Sequence, residues 1–397
     1  MNRYRTRLPN VNWPPRTSLA VIVLGATFAI GCGDESGTTG PTVTTGSLQV
    51  EVSTSGDTLD LDGFTVTVDG ETRPLETSAT STFADLEAGS YDVELSGLQA
   101  NCPADGENPR RVSVAAEATA TAMFAVTCRP ALFDRILFSS DRDGDLDIYV
   151  MGPDGSGAQR LTDDAAFEYV YDISPDGTRV VFDTDRDGEV QVYVMDADGI
   201  GATPLTEGDD YNGTPAWSPD GTMIVFESHR DGDGEIYVMN ADGTDQTRLT
   251  NDPGFDTAPR WSPDGSSIAF QTNRDGNFEI YTMDADGSNP VNLTNDPAVD
   301  AFPDFSPDGS EIAFHSFRDG NPEIYTMGAD GSAPQRLTDD PAVDQGAHWS
   351  PDGTRFVFGT ERDGDFEIYV MDADGSNPVN LTMDAGVDHF GVWTPAR

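Results

Sequence analysis

One 44-residue pattern repeats six times without a slip; five of the six copies carry three Asp-Gly turns between short apolar runs, and the remaining copy carries two. The segment before the repeats alternates apolar and polar residues. Together these observations predict an all-β chain: a six-bladed β-propeller over residues 135–397, preceded by a small β-sandwich over 47–128.

The first 31 residues carry Arg3, Arg5, Arg7 and Arg16, no acid, and the apolar run 19–30. A basic start, a short apolar stretch and small residues at its end describe an export signal, too short to span a bilayer permanently. The run Ala29-Ile30-Gly31-Cys32 resembles the bacterial lipobox, with Ala29 where Leu is commoner. That resemblance implies lipidation of Cys32 and a membrane-anchored lipoprotein of the cell envelope, periplasmic or on the outer-membrane surface. An ordinary secretory signal with an unrelated Cys is the alternative. Both place the mature protein outside the cytoplasm.

The chain of 397 residues has 22 basic side chains, all Arg, and 70 acids. Without the four Arg of the leader, 18 Arg face 70 acids, a net charge of −52. Nucleic-acid binding depends on neutralising phosphates with cationic side chains, so this surface excludes it. It suits cations, basic partners or solubility in salt. Cys102 and Cys128 are 26 positions apart in an oxidising compartment and predict a disulfide, with stabilisation of about 3 kcal/mol from loop closure.

Residues 32–46 hold Gly, Ser and Thr with almost no aliphatic side chain and read as a flexible tether. Over 47–128, apolar residues alternate at Leu48, Val50, Val52; Phe64, Val66, Val68; Tyr91, Val93, Leu95; and Phe124, Val126. This is the signature of half-buried antiparallel strands. The stretch 86–95 resembles the small immunoglobulin-like modules of bacterial surface proteins, of the PEGA and carboxypeptidase-regulatory type. The resemblance implies spacer or adhesion duty. Residues 129–134 are a linker.

In each repeat the turns are Ser-Pro-Asp-Gly, Arg-Asp-Gly and Ala-Asp-Gly, as at 218–221, 230–232 and 241–243. Asp-Gly between apolar runs marks a hairpin, because Gly accepts the positive φ of such turns. Three hairpins join four strands. The first repeat, near Ile136, lacks a Trp-Ser-Pro strand before it, whereas the chain ends on a lone Val392-Trp393-Thr394-Pro395. The tail is therefore expected to supply the inner strand of the first blade, leaving no open edge.

Ile173, Trp217, Trp261, Phe305, Trp349 and Trp393 share one repeat position and read as packing residues between blades. The six Arg of Arg-Asp-Gly read as partners of neighbouring carboxylates. Asp141, Asp143, Asp145 and Asp147 make calcium a candidate, although Gly144 is fourth in the run and an EF-hand needs it sixth. Five residues before each Trp position stand Glu168, Asn212, Asp256, Asp300, Asp344 and Asp388. Four residues earlier again stand Asp164, Gly208, Asp252, Asp296, Asp340 and Asp384. Both sets precede the inner strand and are expected to ring one mouth of the central channel. Crowded like charges favour a cation or a basic peptide there. Turn-capping carboxylates facing water are the alternative.

With Trp-Ser-Pro-Asp-Gly, Arg-Asp-Gly and Ile-Tyr-Val-Met-Asp-Ala-Asp-Gly placed, residues 134–397 resemble the TolB-type propeller repeat family. The resemblance implies a periplasmic six-bladed propeller that binds envelope proteins or short peptides at its mouth, without catalysis. The leading β module and the lipobox depart from TolB, which carries an α/β domain and is soluble. The partner expected is an envelope protein or peptide, basic in character, with membrane contact only through the lipid and the chain itself a monomer. The competing reading is a carbohydrate-active or hydrolytic propeller enzyme. No Gly-x-Ser-x-Gly elbow or His-Glu-x-x-His occurs. Only His348 and His389, on successive inner strands, suggest a two-His site.

Overall fold

The computed structural model describes residues 44–56, 63–99 and 101–397. Cys32, its export signal and most of the tether lie outside the described residues. Among the described residues there are strands and turns and no helix.

The N-terminal module has seven strands: β1 (Thr45–Gly56), β2 (Phe64–Val68), β3 (Glu71–Leu75), β4 (Thr80–Glu87), β5 (Gly89–Ser96), β6 (Arg110–Val114) and β7 (Thr119–Cys128). They form one sheet ordered β4-β1-β7 and another ordered β3-β2-β5-β6. Both sheets contribute to one core, with Leu48, Val50 and Phe124 from the first and Phe64, Val66 and Val93 from the second. The alternation read from the sequence is the inward set of these strands. The pairing departs from expectation in one place: β1 runs parallel to β7, from Ser47 opposite Thr119 to Gly56 opposite Cys128. Periodicity reports which face is buried and is blind to strand direction. Cys102 and Cys128 are disulfide-bonded and fully buried, tying the segment before β6 to the end of β7.

The repeats fold into six four-stranded antiparallel sheets. We number them as blades by their inner strands. Blade 1 has Asp388–Trp393, blade 2 Glu168–Ile173, blade 3 Asn212–Trp217, blade 4 Asp256–Trp261, blade 5 Asp300–Phe305 and blade 6 Asp344–Trp349. Blade 1 joins the two ends of the repeat region. Its inner strand pairs with Ile136–Ser140, Trp393 opposite Ile136 and Asp388 opposite Ser140. The tail thus completes the first blade.

Apolar side chains on both faces of each sheet are buried between blades. Trp217, Phe226, Tyr237 and Met239 of blade 3 pack on Val181, Val192 and Val194 of blade 2. The same set at 393, 138, 149 and 151 in blade 1 packs on Val357, Ile368 and Val370 of blade 6. The large aromatic group always belongs to the later blade and the smaller aliphatic group to the earlier one. Each Ala-Asp-Gly turn docks on the preceding blade. A Cβ at Gly331 would stand 2.7 Å from the Leu293 carbonyl oxygen, and φ there is 81°. Gly is needed for both reasons.

Each Ser-Pro-Asp-Gly turn is closed by its own Asp. Asp264 Oδ1 accepts from Ser262 Oγ, Ser266 Oγ and the Ser266 N–H, at 2.7–3.0 Å. These donors pull the Asp264 carboxyl down to about 2.

Reducing the disulfide, or replacing Cys102 and Cys128 together by Ser, is expected to destabilise the N-terminal module by about 3 kcal/mol. Calorimetry of oxidised and reduced protein measures this, and an unchanged melt contradicts it.

Candidate functional site

The six residues expected to ring a channel mouth are buried. Glu168, Asp256, Asp300, Asp344 and Asp388 are 0% exposed and Asn212 is 1% exposed. Each is held by the Arg of the Arg-Asp-Gly turn in its own blade. Arg274 donates to Asp256 at 2.9 Å, Arg318 to Asp300 at 3.0 Å, Arg362 to Asp344 at 2.7 Å and Arg142 to Asp388 at 3.0 Å. Arg186 pairs with Glu168, and Arg230 donates to the Asn212 Oδ1 at 2.9 Å. These groups therefore present no free charge to a partner, and the acidic-mouth reading is corrected. The strand pairing explains it: Asp256 lies opposite Thr272, two residues before Arg274. The carboxylate is thus brought under the guanidinium, and of the six only Asp388 also lines a channel cavity. Burial pushes the carboxyls of Asp256, Asp300, Asp344 and Asp388 upward, while the Arg opposes it.

The second set caps turns. Asp252, Asp296, Asp340 and Asp384 each accept the N–H two residues on, at 2.9–3.0 Å. Asp252 and Asp384 also reach Arg274 and Arg142, at 2.6 and 2.8 Å.

The calcium candidate is dispersed by its own partners. Asp141 Oδ1 accepts the Val387 N–H at 2.7 Å, Asp143 accepts the Tyr149 hydroxyl, and buried Asp147 pairs with Arg160 at 2.6 Å. Three carboxylates that face three different groups do not converge on one ion. Among the described residues no group of three or more His, Cys, Asp or Glu is placed to hold a metal.

What varies between blades faces the channel. Counting from the start of each inner strand, the Trp, Ser, Pro and Gly positions are nearly uniform. The third residue is Val170, Thr214, Ala258, Phe302, Gly346 or Phe390, and the fifth is Asp172, Ala216, Arg260, Asp304, His348 or Val392. In five blades the third residue sits in a bulge, and in blade 2 the bulge falls one residue later, at Tyr171. Thr214, Ala258, Phe302 and Phe390 all have φ between 49° and 54°. The freed N–H is taken by the preceding blade in three places: Val170 by Ser139 Oγ at 2.9 Å, Phe302 by Gln271 Oε1 at 2.8 Å, and Thr214 by Asp183 Oδ2 at 3.4 Å.

The bulges bring Tyr171, Phe302 and Phe390, from three blades, together in the channel. Phe390 lies 5.2 Å from Tyr171 and 6.0 Å from Phe302, centroid to centroid. On the Arg-Asp-Gly side of these rings a cavity of about 40 Å³ is lined by His315, Gln345, Phe366 and His389. Burial pulls the His315 imidazole down to about 4, so it is neutral. On the Ser-Pro-Asp-Gly side, a chamber of about 190 Å³ is lined by Asp172, Arg260, Asp304 and His348 between inner-strand Trp side chains. Asp172 takes the Ile173 and Trp217 N–H groups, both at 2.8 Å, and Asp304 takes the Trp349 N–H at 2.9 Å. Burial raises the Asp172 carboxyl, with the Arg260 charge opposing.

His348 and His389 therefore line two separate cavities on opposite sides of the aromatic rings, and the two-His site does not form. They occupy the fifth and second positions of their strands. Adjacent blades alone do not bring such positions together.

A further buried pair, Asp183 and Glu227, lies between blades 2 and 3. Thr214 donates its N–H to Asp183 and its hydroxyl to Glu227, at 3.4 and 3.5 Å, and Glu227 also meets His229 Nε2 at 2.6 Å. Tyr171 and Tyr211 also lie close to these acids. Burial, aided by the Glu227 charge, pushes the Asp183 carboxyl up to about 8.

Two outcomes follow from these groups. Asp300→Ala strands Arg318 half-buried and is expected to destabilise the protein by about 3–5 kcal/mol. Asp300→Asn, the arrangement blade 3 already has at Asn212, is expected to cost clearly less, and equal losses in denaturant melts would contradict this. An unfolded Asp titrates near 3.9, and folded Asp183 titrates near 8. The folded state holds the extra proton between these values, so stability falls as pH rises through that window and levels above it. Asp183→Asn is expected to flatten that slope and to melt higher than the parent at pH 9 than at pH 4. A pH-independent difference would overturn the assignment.

The comparisons can now be set beside this geometry. The family model for the TolB β-propeller domain matches residues 112–226, 207–301 and 292–397. TolB from Acinetobacter baumannii is 24% identical, with a TM-score of 0.61 over 66% of this chain and 67% of that one. A TolB structure from Agrobacterium tumefaciens is 27% identical, with a TM-score of 0.53 over 64% of this chain and 90% of that one. Hydrazine synthase from Kuenenia stuttgartiensis shares the fold at 16% identity, with a TM-score of 0.56 over 66% of this chain and 46% of that one. No curated protein matches the sequence. By its three matched segments, which span well over half its length, the chain belongs to the TolB β-propeller family.

Proposed function

We propose that this protein is a non-catalytic binding propeller of the cell envelope, exported and anchored through lipidated Cys32. It would take a protein or peptide partner in its channel and act as a monomer. One observation carries the reading: repeat positions are uniform where every blade needs the same packing and diverge where they line the channel. A six-fold scaffold gains a direction and a specificity only from such departures. The partner-reading groups are then Asp172, Arg260, Asp304 and His348, and the buried acids at the strand starts hold the blades together. A basic partner fits, because the chain carries −48 overall and attracts cations.

The kinship with TolB supports binding over catalysis. The enzymatic alternative needs His residues converging on one reaction centre, and His348 and His389 do not converge.

The test is retention of partners from an envelope extract by immobilised protein. Arg260→Gln with Asp304→Asn is expected to lose a partner that the parent retains. Asp286→Asn with Asp374→Asn, on exposed outer turns, is expected to keep it. Retention that ignores the channel pair would sink the proposal.

A further inference from the structure

The chamber on the Ser-Pro-Asp-Gly side is lined by an acceptor and a donor group that each keep hydrogen-bonding capacity to spare. Both oxygens of Asp172 already take backbone N–H groups. Asp304 differs. Its Oδ2 takes the Trp349 N–H, but its Oδ1 faces only His348 Nδ1 at 3.6 Å, too far for a hydrogen bond. Arg260 reaches across the channel from blade 4 to blade 2. It donates to the Tyr171 carbonyl at 3.3 Å and the Pro259 carbonyl at 3.1 Å. It forms no ion pair among the described residues, in a chain where acids outnumber Arg about three to one. Its remaining N–H donors are available to a ligand.

Three properties select the ligand. Two carboxylates against one guanidinium, inside a strongly acidic molecule, favour a cation. The space of about 190 Å³ has room for several waters or for the end of a peptide chain. The third property is decisive: the cation must bring its own acceptor for Arg260. A Lys or Arg side chain would set like charge against Arg260 and offer no acceptor. A peptide's first residue carries an ammonium and, three bonds away, a carbonyl oxygen.

We propose that this chamber captures the free N-terminus of a peptide, with the α-ammonium on Asp304 Oδ1 and the first carbonyl oxygen on Arg260. The inference rests on the binding reading above and gives it a direction: the partner enters from the Ser-Pro-Asp-Gly face, amino end first. Capture of a free N-terminal amine is an established mode of peptide recognition. The aromatic contact of Tyr171, Phe302 and Phe390 closes the far side, so the chamber admits an end and not a threading chain.

The probes are Ala-Gly-Gly-amide and its N-acetyl form, titrated calorimetrically into the full chain. The free peptide is expected to bind, and acetylation, which leaves the protein untouched, to weaken binding by about tenfold or more, about 1.4 kcal/mol or more. Asp304→Asn is expected to weaken the free peptide by a similar factor, and Arg260→Gln by a smaller one, with melting temperatures showing that both variants fold. Equal binding of the two peptides, indifference to Asp304→Asn, or no binding at tens of millimolar overturns the inference. If the tripeptides fail while an envelope partner still depends on Arg260 and Asp304, the amino-end assignment falls and the binding propeller stands. If the partner ignores both residues, the binding reading falls as well.

Discussion

The pairing of an Arg-Asp-Gly guanidinium with the first residue of the inner strand is the constraint on which each blade depends. The Arg is clamped from several sides. Its guanidinium lies over the Phe and Tyr of its own blade, in blade 4 at 5.4 and 4.8 Å from the Phe270 and Tyr281 centroids. It takes a side-chain oxygen at the strand start and, through Nε, often a hydroxyl such as Ser316 Oγ at 2.8 Å. The next residue of the turn, Asp, receives the Tyr hydroxyl, as Asp319 does from Tyr325. One tripeptide thus connects three strands of a sheet. Desolvation works against such a buried pair, and the raised carboxyls at Asp256, Asp300, Asp344 and Asp388 record it. What the pair adds is definition. It sets where the turn sits and where the inner strand begins. Blade 3 shows that the negative charge is dispensable, since Asn212 fills the same place with a neutral oxygen.

With that scaffold repeated six times, the remaining freedom is confined to a few positions per blade. The bulge at the third inner-strand residue places Phe302, Gly346 and Phe390 at the channel cavity. In most blades the backbone there is left-handed, a cost that Gly346 avoids and Phe302 and Phe390 bear. Neighbouring blades stabilise it by accepting the freed N–H. The accepting groups, Ser139, Asp183 and Gln271, belong to the same irregular set, so the channel lining and its supports vary together. This is how a six-fold array becomes asymmetric without disturbing the packing between its blades.

The fold was largely legible because its signals are local and repeated. Asp-Gly turns, the apolar runs between them and the unmatched Trp393 strand state the blade and its completion by the tail. The site was less legible, for a definite reason. A residue at the start of a strand can point to the channel or back under the sheet, and alternation does not say which. The deciding fact is the Arg eighteen residues on, held opposite by strand register. It repeats at that same offset in five copies, with Arg142 serving Asp388 from the other end of the repeats, and this was a signal the sequence did contain. The fifth position, Asp172, Ala216, Arg260, Asp304, His348, Val392, was visible too, as the place where the repeat breaks. The aromatic rings meeting across the axis were not visible, because Tyr171 and Phe302 stand 131 positions apart and only the closure of blades around the axis joins them.

The same bookkeeping of charge explains how the surface becomes so one-sided. Six Arg are drawn into the blade clamps, and Arg160, Arg248 and Arg336 are drawn to buried acids at Asp147, Glu235 and Glu323. Glu367 lacks such a partner, and burial lifts its carboxyl to about 7. With half of the 18 Arg beyond the leader so committed and no Lys anywhere, the exterior is dominated by carboxylates. At physiological salt their field decays within about 8 Å, so it gathers cations near the surface without choosing among them. Choice requires groups at fixed positions in a recess, and Arg260 and Asp304 line one. On the proposed binding role, the acidic exterior would govern how fast a cationic partner arrives, and the chamber which one stays.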